Sequence, residues 1–521
     1  MPERKSYYIT TPIYYVNDVP HIGHAYTTLA CDVLARFKRL DGYDVMFLTG
    51  TDEHGQKVEK SAAAAGVDPQ SFCDRVSGRF RELAASMHFS NDQFIRTTES
   101  RHIQSAQALW QRIKANGHIY KGAYSGWYSV RDEAFYAESE LVDGPDGQKC
   151  APSGAPVEWL EEPSYFFRLS EWQEPLLQFY EDNPHFVLPK SRMNEVVSFV
   201  KGGLRDLSIS RTSFNWGVPV PDDPDHIMYV WIDALTNYIT ALGFPDTERA
   251  DYQRFWPADV HMVGKDILRF HAVYWPAFLM AAGLEPPKRV FAHGWWTNEG
   301  QKISKSVGNV IDPFALVEDF GLDAVRYFLM REVPFGNDGD FSREGFINRC
   351  NADLANDFGN LAQRCLSMIA KNCDGKVPTP AVLADQDVML LSDINAVLNE
   401  VRVHLDDQAI HQALEAIWRQ ISRANGYVAA EQPWALKKTD PERMATVLYV
   451  AAEAVRNLAI LAQAVMPDSM EKLLDQLGID SRDRGFDQLG ERGRLKPGMP
   501  LPSLRGCSHA WLKKRQCDAC R

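Results

Sequence analysis

Hydrophobic and polar positions along the chain divide it into stretches of different period. The run Tyr7-Tyr8-Ile9-Thr10-Thr11-Pro12-Ile13-Tyr14-Tyr15 is aromatic and β-branched and predicts a strand. After Gly23 the apolar residues Ala25, Leu29, Ala30, Val33, Leu34 and Phe37 recur at helical spacing. The uninterrupted run Val45-Met46-Phe47-Leu48 fits a strand buried on both faces of a parallel sheet. Helical stretches follow at 58–65, 69–86 and 100–116, the last closed by Gly117. This alternation predicts a doubly wound, Rossmann-like α/β unit. From about 119 to 189 short aromatic pieces alternate with turns such as Asp143-Gly144-Pro145-Asp146-Gly147, which predicts a β-rich insertion. The α/β pattern resumes at Ile227-Met228-Tyr229-Val230-Trp231-Ile232-Asp233-Ala234. It continues through Val260-His261-Met262-Val263-Gly264-Lys265-Asp266 and Arg289-Val290-Phe291-Ala292-His293-Gly294. Past about residue 345 strand signals stop, and amphipathic helices run to about 475.

Polar or glycine-bearing clusters follow the apolar runs, and open parallel sheets bind ligands outside the carboxyl ends of their strands. Tyr15, Asp52, Asp266 and His293 are therefore expected to line one crevice with His21 and His24. In Pro20-His21-Ile22-Gly23-His24 the two imidazoles share the first turn of a helix, whose free backbone donors attract phosphate. Gly23 lets a ligand approach the backbone closely. Gly300-Gln301-Lys302-Ile303-Ser304-Lys305-Ser306-Val307-Gly308-Asn309 adds two lysines between glycines, a loop suited to closing over a leaving pyrophosphate. The histidine turn alone reads equally well as ordinary surface, and a lysine-serine loop alone is usually just surface; together, at the two ends of an interrupted α/β unit, they point to displacement at phosphorus. In the helical part Leu354, Phe358, Leu361 and Cys365 form an apolar stripe, with Asn356, Asn360 and Arg364 on the opposite face.

Composition narrows the class without choosing the chemistry. The 521 residues allow about three domains of roughly 150 residues each. With 45% hydrophobic and 24% charged residues the chain is globular. No signal or transit segment is read before the first strand, and 445–466 is interrupted by Glu453, Arg456 and Asn457, so no bilayer-spanning run is expected. Nine scattered cysteines suit a reducing, cytoplasmic compartment. Cys507, His509, Cys517 and Cys520 lie in a basic, apolar-poor tail read as loosely ordered rather than as a zinc site. The net charge of −13 leaves nucleic-acid binding to a local basic patch.

His21-Ile22-Gly23-His24 and Lys302-Ile303-Ser304-Lys305-Ser306 resemble the two signatures of class I aminoacyl-tRNA synthetases. Up to about residue 475 the chain resembles the methionyl-tRNA synthetase family. That likeness rests on Pro12-Ile13-Tyr14-Tyr15-Val16-Asn17, Thr49-Gly50-Thr51-Asp52-Glu53-His54-Gly55, Tyr229-Val230-Trp231-Ile232-Asp233-Ala234 and Gly264-Lys265-Asp266-Ile267. Two further matches are the Asn356, Asn360, Arg364 series and Gln432-Pro433-Trp434. The resemblance implies ATP-dependent aminoacylation of tRNA(Met), initiator and elongator, with L-methionine through methionyl-adenylate, Mg²⁺ accompanying ATP. It divides the chain into a catalytic domain in two halves (1–118 and 226–300) around a connective insertion (119–225). A mobile loop and stem-contact region (301–345), an anticodon-binding helical domain (346–475) and a tail (476–521) follow. By the same resemblance Asp52 would hold the methionine amino group, with Arg211 supporting that end. Ile13, Tyr15, Trp231, Ala234, Leu235, Tyr238, Ile267 and His271 would surround the thioether. Aromatic and apolar walls suit such a group, and residues 267, 271 and 275, four apart, would present one helical face. Gly264 and Asp266 would bind the ATP ribose, and His21, His24, Lys302 and Lys305 the phosphates. Asn356, Asn360, Arg364, Pro433 and Trp434 would read the anticodon.

Departures from the family pattern carry their own expectations. Many relatives hold zinc in the insertion through paired cysteines; the corresponding places hold Ser129, Asp132, Cys150 and Ser153, so no structural zinc is expected. Ile303 replaces a methionine of similar volume and Leu235 a frequent proline. The insertion is too short for the large editing domain of the isoleucine, valine and leucine enzymes, and a monomer is expected. A nucleotidylyltransferase would share the His-Ile-Gly-His turn but has no use for the helical domain. A synthetase for another amino acid fits the Tyr15, Trp231 and Tyr238 set less well. A non-catalytic RNA-binding protein would not need both histidines and both lysines.

Overall fold

The computed structural model describes residues 4–16, 19–144, 147–303 and 308–502. Two compact units emerge, one made of Ser6–Cys31 with Val45–His293, the other of Met1–Lys5, Asp32–Asp44 and Gly294–Arg521.

The first unit is built on a parallel sheet. Its strands run in the order Val187–Leu188, Val290–His293, Val260–Gly264, Ser6–Thr10, Asp44–Asp52 and Tyr14–Tyr15, with Gln93–Arg96 also paired to Asp44–Asp52. Ile9 lies opposite Val260, Gly264 opposite His293, and Tyr15 opposite Asp52, so the register brings candidate residues from distant segments to one end. The middle strands are buried and the helices Pro69–Ser86 and Ser100–Ala115 follow the sheet, the layering that continuous apolar strands require. Gly50 permits the closest strand approach, because a Cβ there would sit 2.1 Å from the Ile95 carbonyl oxygen.

The insertion begins as an antiparallel sheet. Ile119–Ser129 pairs along its length with Glu158–Phe167, and Ala134–Tyr136 and Leu207–Ser208 flank the pair. Beyond it the chain is helical at Gln173–Asp182 and Lys190–Lys201, and Val187–Leu188 between them joins the parallel sheet. Two residues beside a proline carry no strand period, so this edge strand left no trace in the sequence pattern. The run from Ile227 also differs from the pattern reading. The strand Asp223–Met228 ends early and pairs antiparallel with Ser210–Arg211 and Pro219–Val220, and Val230–Leu235 is a helix. All of this segment but Trp231 is buried, and a short apolar run has the same appearance as strand or helix.

The second unit is mainly helical. Asp385–Asp406, Ile410–Glu431 and Pro441–Ala462 are its longest helices, with Asn360–Asn372 and Pro467–Gln476 beside them. Pro441–Ala462 has the length and hydropathy to cross a membrane, unlike the sequence reading, but it is packed inside this unit. Its Glu453 and Arg456 pair at 2.9 Å, and Glu453 also accepts the Leu495 backbone N–H. Arg326, fully buried, pairs with Asp32 at 2.7 Å and donates to the Val465 carbonyl at 2.8 Å.

Candidate active site

The helix Ile22–Leu40 starts directly after His21, and its first turn is organised by its own imidazoles. The His21 backbone N–H donates to His24 Nδ1 at 3.2 Å, and the Gly23 N–H donates to His21 Nδ1 at 3.1 Å. A ring nitrogen that accepts a hydrogen bond carries no proton, so both histidines keep their proton on Nε2. Burial, then the neighbouring His21 ring, holds the His24 pKa well below the usual imidazole range. The rings lie 3.9 Å apart, and a Cβ at position 23 would come within 2.9 Å of His21 Cε1. His293, at the end of its own strand, meets this helix through Thr27 Oγ1 at 2.8 Å.

At the end of the neighbouring strand, Asp52 is buried and its Oδ1 has no hydrogen-bond partner. Burial, then the carboxylates of Asp233 and Glu133, pushes its pKa well above the usual carboxylate range. An orphaned acceptor in a negative surrounding is costly unless a cation completes it. Aromatic groups cluster in the same unit. Trp231 stacks on Phe270 at 3.8 Å, Tyr238 stacks on His261 at 4.0 Å, and the Tyr238 hydroxyl meets His271 Nε2 at 2.7 Å. Burial brings the His271 pKa down to about 4, so its ring is neutral near pH 7. Leu235, Tyr238 and Ala234 are buried, while Ile13, Tyr15, Trp231 and Ile267 are partly exposed against the same core. The four-residue spacing after Gly264 does not make one α-helical face. Lys265–Ile267 is a 3₁₀ turn and Phe270–Tyr274 a π-helix, and His271 Nδ1 bonds the Ile267 carbonyl at 2.9 Å. Wide π turns place residues differently from the 3.6 period. Gly264 keeps a close approach to Asp266, whose Oδ1 a Cβ would meet at 2.5 Å.

Arg211 is buried and does not pair with Asp52. Its guanidinium donates to Ser208 Oγ at 2.9 Å and the Ser210 carbonyl at 2.6 Å. It also lies over the rings of Phe135, Tyr229 and Tyr128 at 4.4, 4.9 and 5.1 Å. Two carboxyl groups near Asp52, Asp233 and Glu133, escaped sequence reading. Asp233 bridges His54 and His102, each at 2.7 Å. Burial alone would raise the Asp233 pKa, but the two imidazoles hold it down to about 2. An acid inside the apolar run 227–234 was the available signal. Glu133, in the turn before Ala134–Tyr136, accepts the Tyr15 hydroxyl and offered no such signal.

The remaining candidates belong to other segments. Ser129, Asp132 and Ser153 are tied together: Ser129 Oγ accepts the Asp132 N–H at 3.2 Å, Ser153 donates to Asp132, and Arg131 donates to the Ser153 carbonyl at 2.7 Å. Cys150 is buried nearby in sequence, and among the described residues no group of three or more His, Cys, Asp or Glu is placed to hold a metal. In the helical unit Lys302 is exposed on the short strand Gln301–Lys302, 5.8 Å from the Trp295 ring. Lys305, Asn17 and the Cys/His positions of the tail lie outside the described residues. Asn356, Asn360 and Arg364 are exposed, although the first of them sits in a π-helix, Cys350–Gly359, that the sequence pattern read as α. The Arg364 guanidinium lies 5.6 Å from the Trp434 ring, which is 48% exposed and follows the buried Pro433. Residues 70 positions apart thus share one surface.

A parallel sheet interrupted by an insertion, with a histidine pair at the start of the helix Ile22–Leu40, defines the catalytic architecture of a class I aminoacyl-tRNA synthetase. The family profile described as "tRNA synthetases class I (M)" matches residues 7–366, and "Anticodon binding domain of methionyl tRNA ligase" matches residues 377–502. The chain belongs to the methionyl-tRNA synthetases. It is 60% identical over 483 residues to the methionine–tRNA ligase of Brucella suis, covering 93% of this chain and 94% of that one. It is 58% identical to the Mesorhizobium japonicum enzyme, covering 99% of this chain and 100% of that one. The Mycobacterium tuberculosis methionyl-tRNA synthetase in complex with methionyl-adenylate superposes with a TM-score of 0.94 at 56% identity, covering 96% of this chain and 98% of that one.

Proposed function

We propose that this chain carries out its family's reaction with the residues gathered at the strand ends. It ligates methionine to tRNA at the expense of ATP. The methionine carboxylate attacks the α-phosphorus, forming the acyl–phosphate bond as the bond to pyrophosphate breaks. A hydroxyl of the terminal tRNA ribose then attacks the carbonyl carbon and AMP leaves. The observation that carries the residue assignment is Asp52, a buried carboxylate with an orphaned oxygen beside aromatic walls. A methionine ammonium supplies the cation that this carboxylate lacks, and Ile13, Tyr15, Trp231, Ala234, Leu235, Tyr238, Ile267 and His271 enclose the thioether. Neutral His271 donates from Nδ1 to the Ile267 carbonyl and accepts the Tyr238 hydroxyl at Nε2, so the pair fixes the orientation of this wall around the thioether. Arg211, anchored through Nη1 to Ser208 and the Ser210 carbonyl, supports the methionine end of the site, and its buried Nε and Nη2 have no hydrogen-bond partner among the described residues.

The two Nε2–H groups of His21 and His24 donate to phosphate oxygens as charge develops. Gly264 and Asp266 hold the ribose, Lys302 and Lys305 bind phosphates, and Mg²⁺ arrives with ATP. The protein acts in the cytoplasm as a monomer on initiator and elongator tRNA(Met). Residues 1–118 and 226–300 form the catalytic domain, 119–225 the insertion, 301–345 the loop and stem-contact region, and 346–475 the anticodon-reading helices ahead of the tail 476–521.

Trp434, with Asn356, Asn360, Arg364 and Pro433, recognises splayed anticodon bases by stacking and hydrogen bonding. Trp434→Ala is expected to leave pyrophosphate exchange normal and to lower tRNA charging by about tenfold or more, the worth of one stacked base. Equal losses in both assays would make Trp434 a structural residue.

A further inference from the structure

The turn between the strands Ile119–Ser129 and Ala134–Tyr136 delivers a second buried carboxyl group to the Asp52 end of the site. Glu133 takes a left-handed backbone, with φ of 49°. The Tyr229 hydroxyl donates to its backbone carbonyl at 2.8 Å, which fixes the turn from below. Its side-chain Oε1 accepts the Tyr15 hydroxyl. Gly55 makes room for this meeting: a Cβ there would stand 2.8 Å from the Tyr15 hydroxyl oxygen and 3.0 Å from Glu133 Oε1. Three segments far apart in sequence therefore converge on one hydrogen bond.

Tyr15 is in register with Asp52 across the parallel strand pair, and the Lys57 ammonium lies 5.2 Å from its ring. We propose that Glu133 is a positioning residue for methionine activation: its carboxyl group, supplied by the insertion, holds the Tyr15 hydroxyl and so sets that ring as a wall of the amino-acid pocket. The inference rests on reading the Asp52 end as that pocket. A carboxyl group in such a place is an expensive filler, since an apolar or amide side chain of similar volume would be cheaper to bury. Burial pushes the Glu133 pKa up to about 7, with the Tyr15 hydrogen bond, Lys57 and Arg211 opposing the rise. The group is worth its cost where a hydroxyl must be held in one orientation. The arrangement also makes the insertion part of the methionine site.

The test is methionine-dependent pyrophosphate exchange with the full-length protein, measuring kcat and the KM for methionine and ATP. Glu133→Ala is expected to raise the methionine KM about tenfold, the worth of one hydrogen bond to a charged acceptor. The ATP KM and kcat stay within about twofold, which also reports an intact fold. Glu133→Gln keeps an acceptor oxygen and is expected to stay within about threefold of the original protein. In a Tyr15→Phe background Glu133→Ala is expected to change the methionine KM less than about twofold, because the two groups act as one unit. The same tenfold rise in both backgrounds, or none in either, overturns the proposal. A normal methionine KM in Asp52→Asn would instead remove the pocket reading itself, so the two failures can be told apart.

Discussion

Asp52→Asn is expected to lower kcat/KM for methionine by about a thousandfold, roughly 4 kcal/mol, while leaving the KM for ATP unchanged. The size follows from where the carboxylate sits. Asp52 ends a largely buried strand, its Oδ1 has no hydrogen-bond partner among the described residues, and the Asp233 and Glu133 carboxyl groups lie near it. Solvent does not compensate for removing the charge that meets the substrate ammonium in such a place. The same surroundings make the carboxylate costly to bury, so the amide variant is expected to melt no lower than the original protein. A pH dependence comes with it. Burial favours the protonated, neutral form and raises the Asp52 pKa, and only the ionised form attracts an ammonium. Methionine affinity therefore weakens as pH falls through a range well above that of an ordinary carboxylate, and that component disappears in Asp52→Asn. Normal exchange by the variant would remove Asp52 from the site.

His24→Asn is expected to reduce kcat for exchange by about a hundredfold to a thousandfold with little change in the methionine KM, the loss seen when one donor to a developing charge is removed. The His24 ring is held by the His21 backbone N–H through Nδ1, which leaves its Nε2–H as the donor. Its depressed pKa makes it a neutral donor rather than a cation near pH 7. The shorter amide of asparagine cannot reproduce that reach, and its effect belongs to the transition state rather than to methionine binding. A variant that raised the methionine KM but kept kcat would contradict this assignment.

The parallel sheet was legible because its strands read as continuous apolar runs, as at Val45-Met46-Phe47-Leu48, where Phe47 and Leu48 are buried and Val45 and Met46 partly so. The position of His21 and His24 at a helix start was legible for a similar reason, since the residues after them keep a 3.6 period through Phe37. What the pattern missed was what tertiary packing decides. The segment after Ile227 is buried except at Trp231, so no period distinguished its strand from its helix. The π-helices at Phe270–Tyr274 and Cys350–Gly359 keep helical composition while changing which residues share a face. Glu133 meets Tyr15 across 118 residues, from a turn with no period, and Asp233 meets His102 and His54 across 131 and 179 residues. Composition and spacing describe neighbours along the chain, and these groups have their partners across it.

Exchange of labelled pyrophosphate into ATP, run separately with each standard amino acid, tests most directly the proposal that the Asp52 end of the sheet accepts methionine for adenylate formation. Methionine alone is expected to support exchange above background, with kcat/KM for methionine lowered about a thousandfold in Asp52→Asn. Exchange that needs no amino acid, or that is supported equally by an amino acid other than methionine, would contradict it.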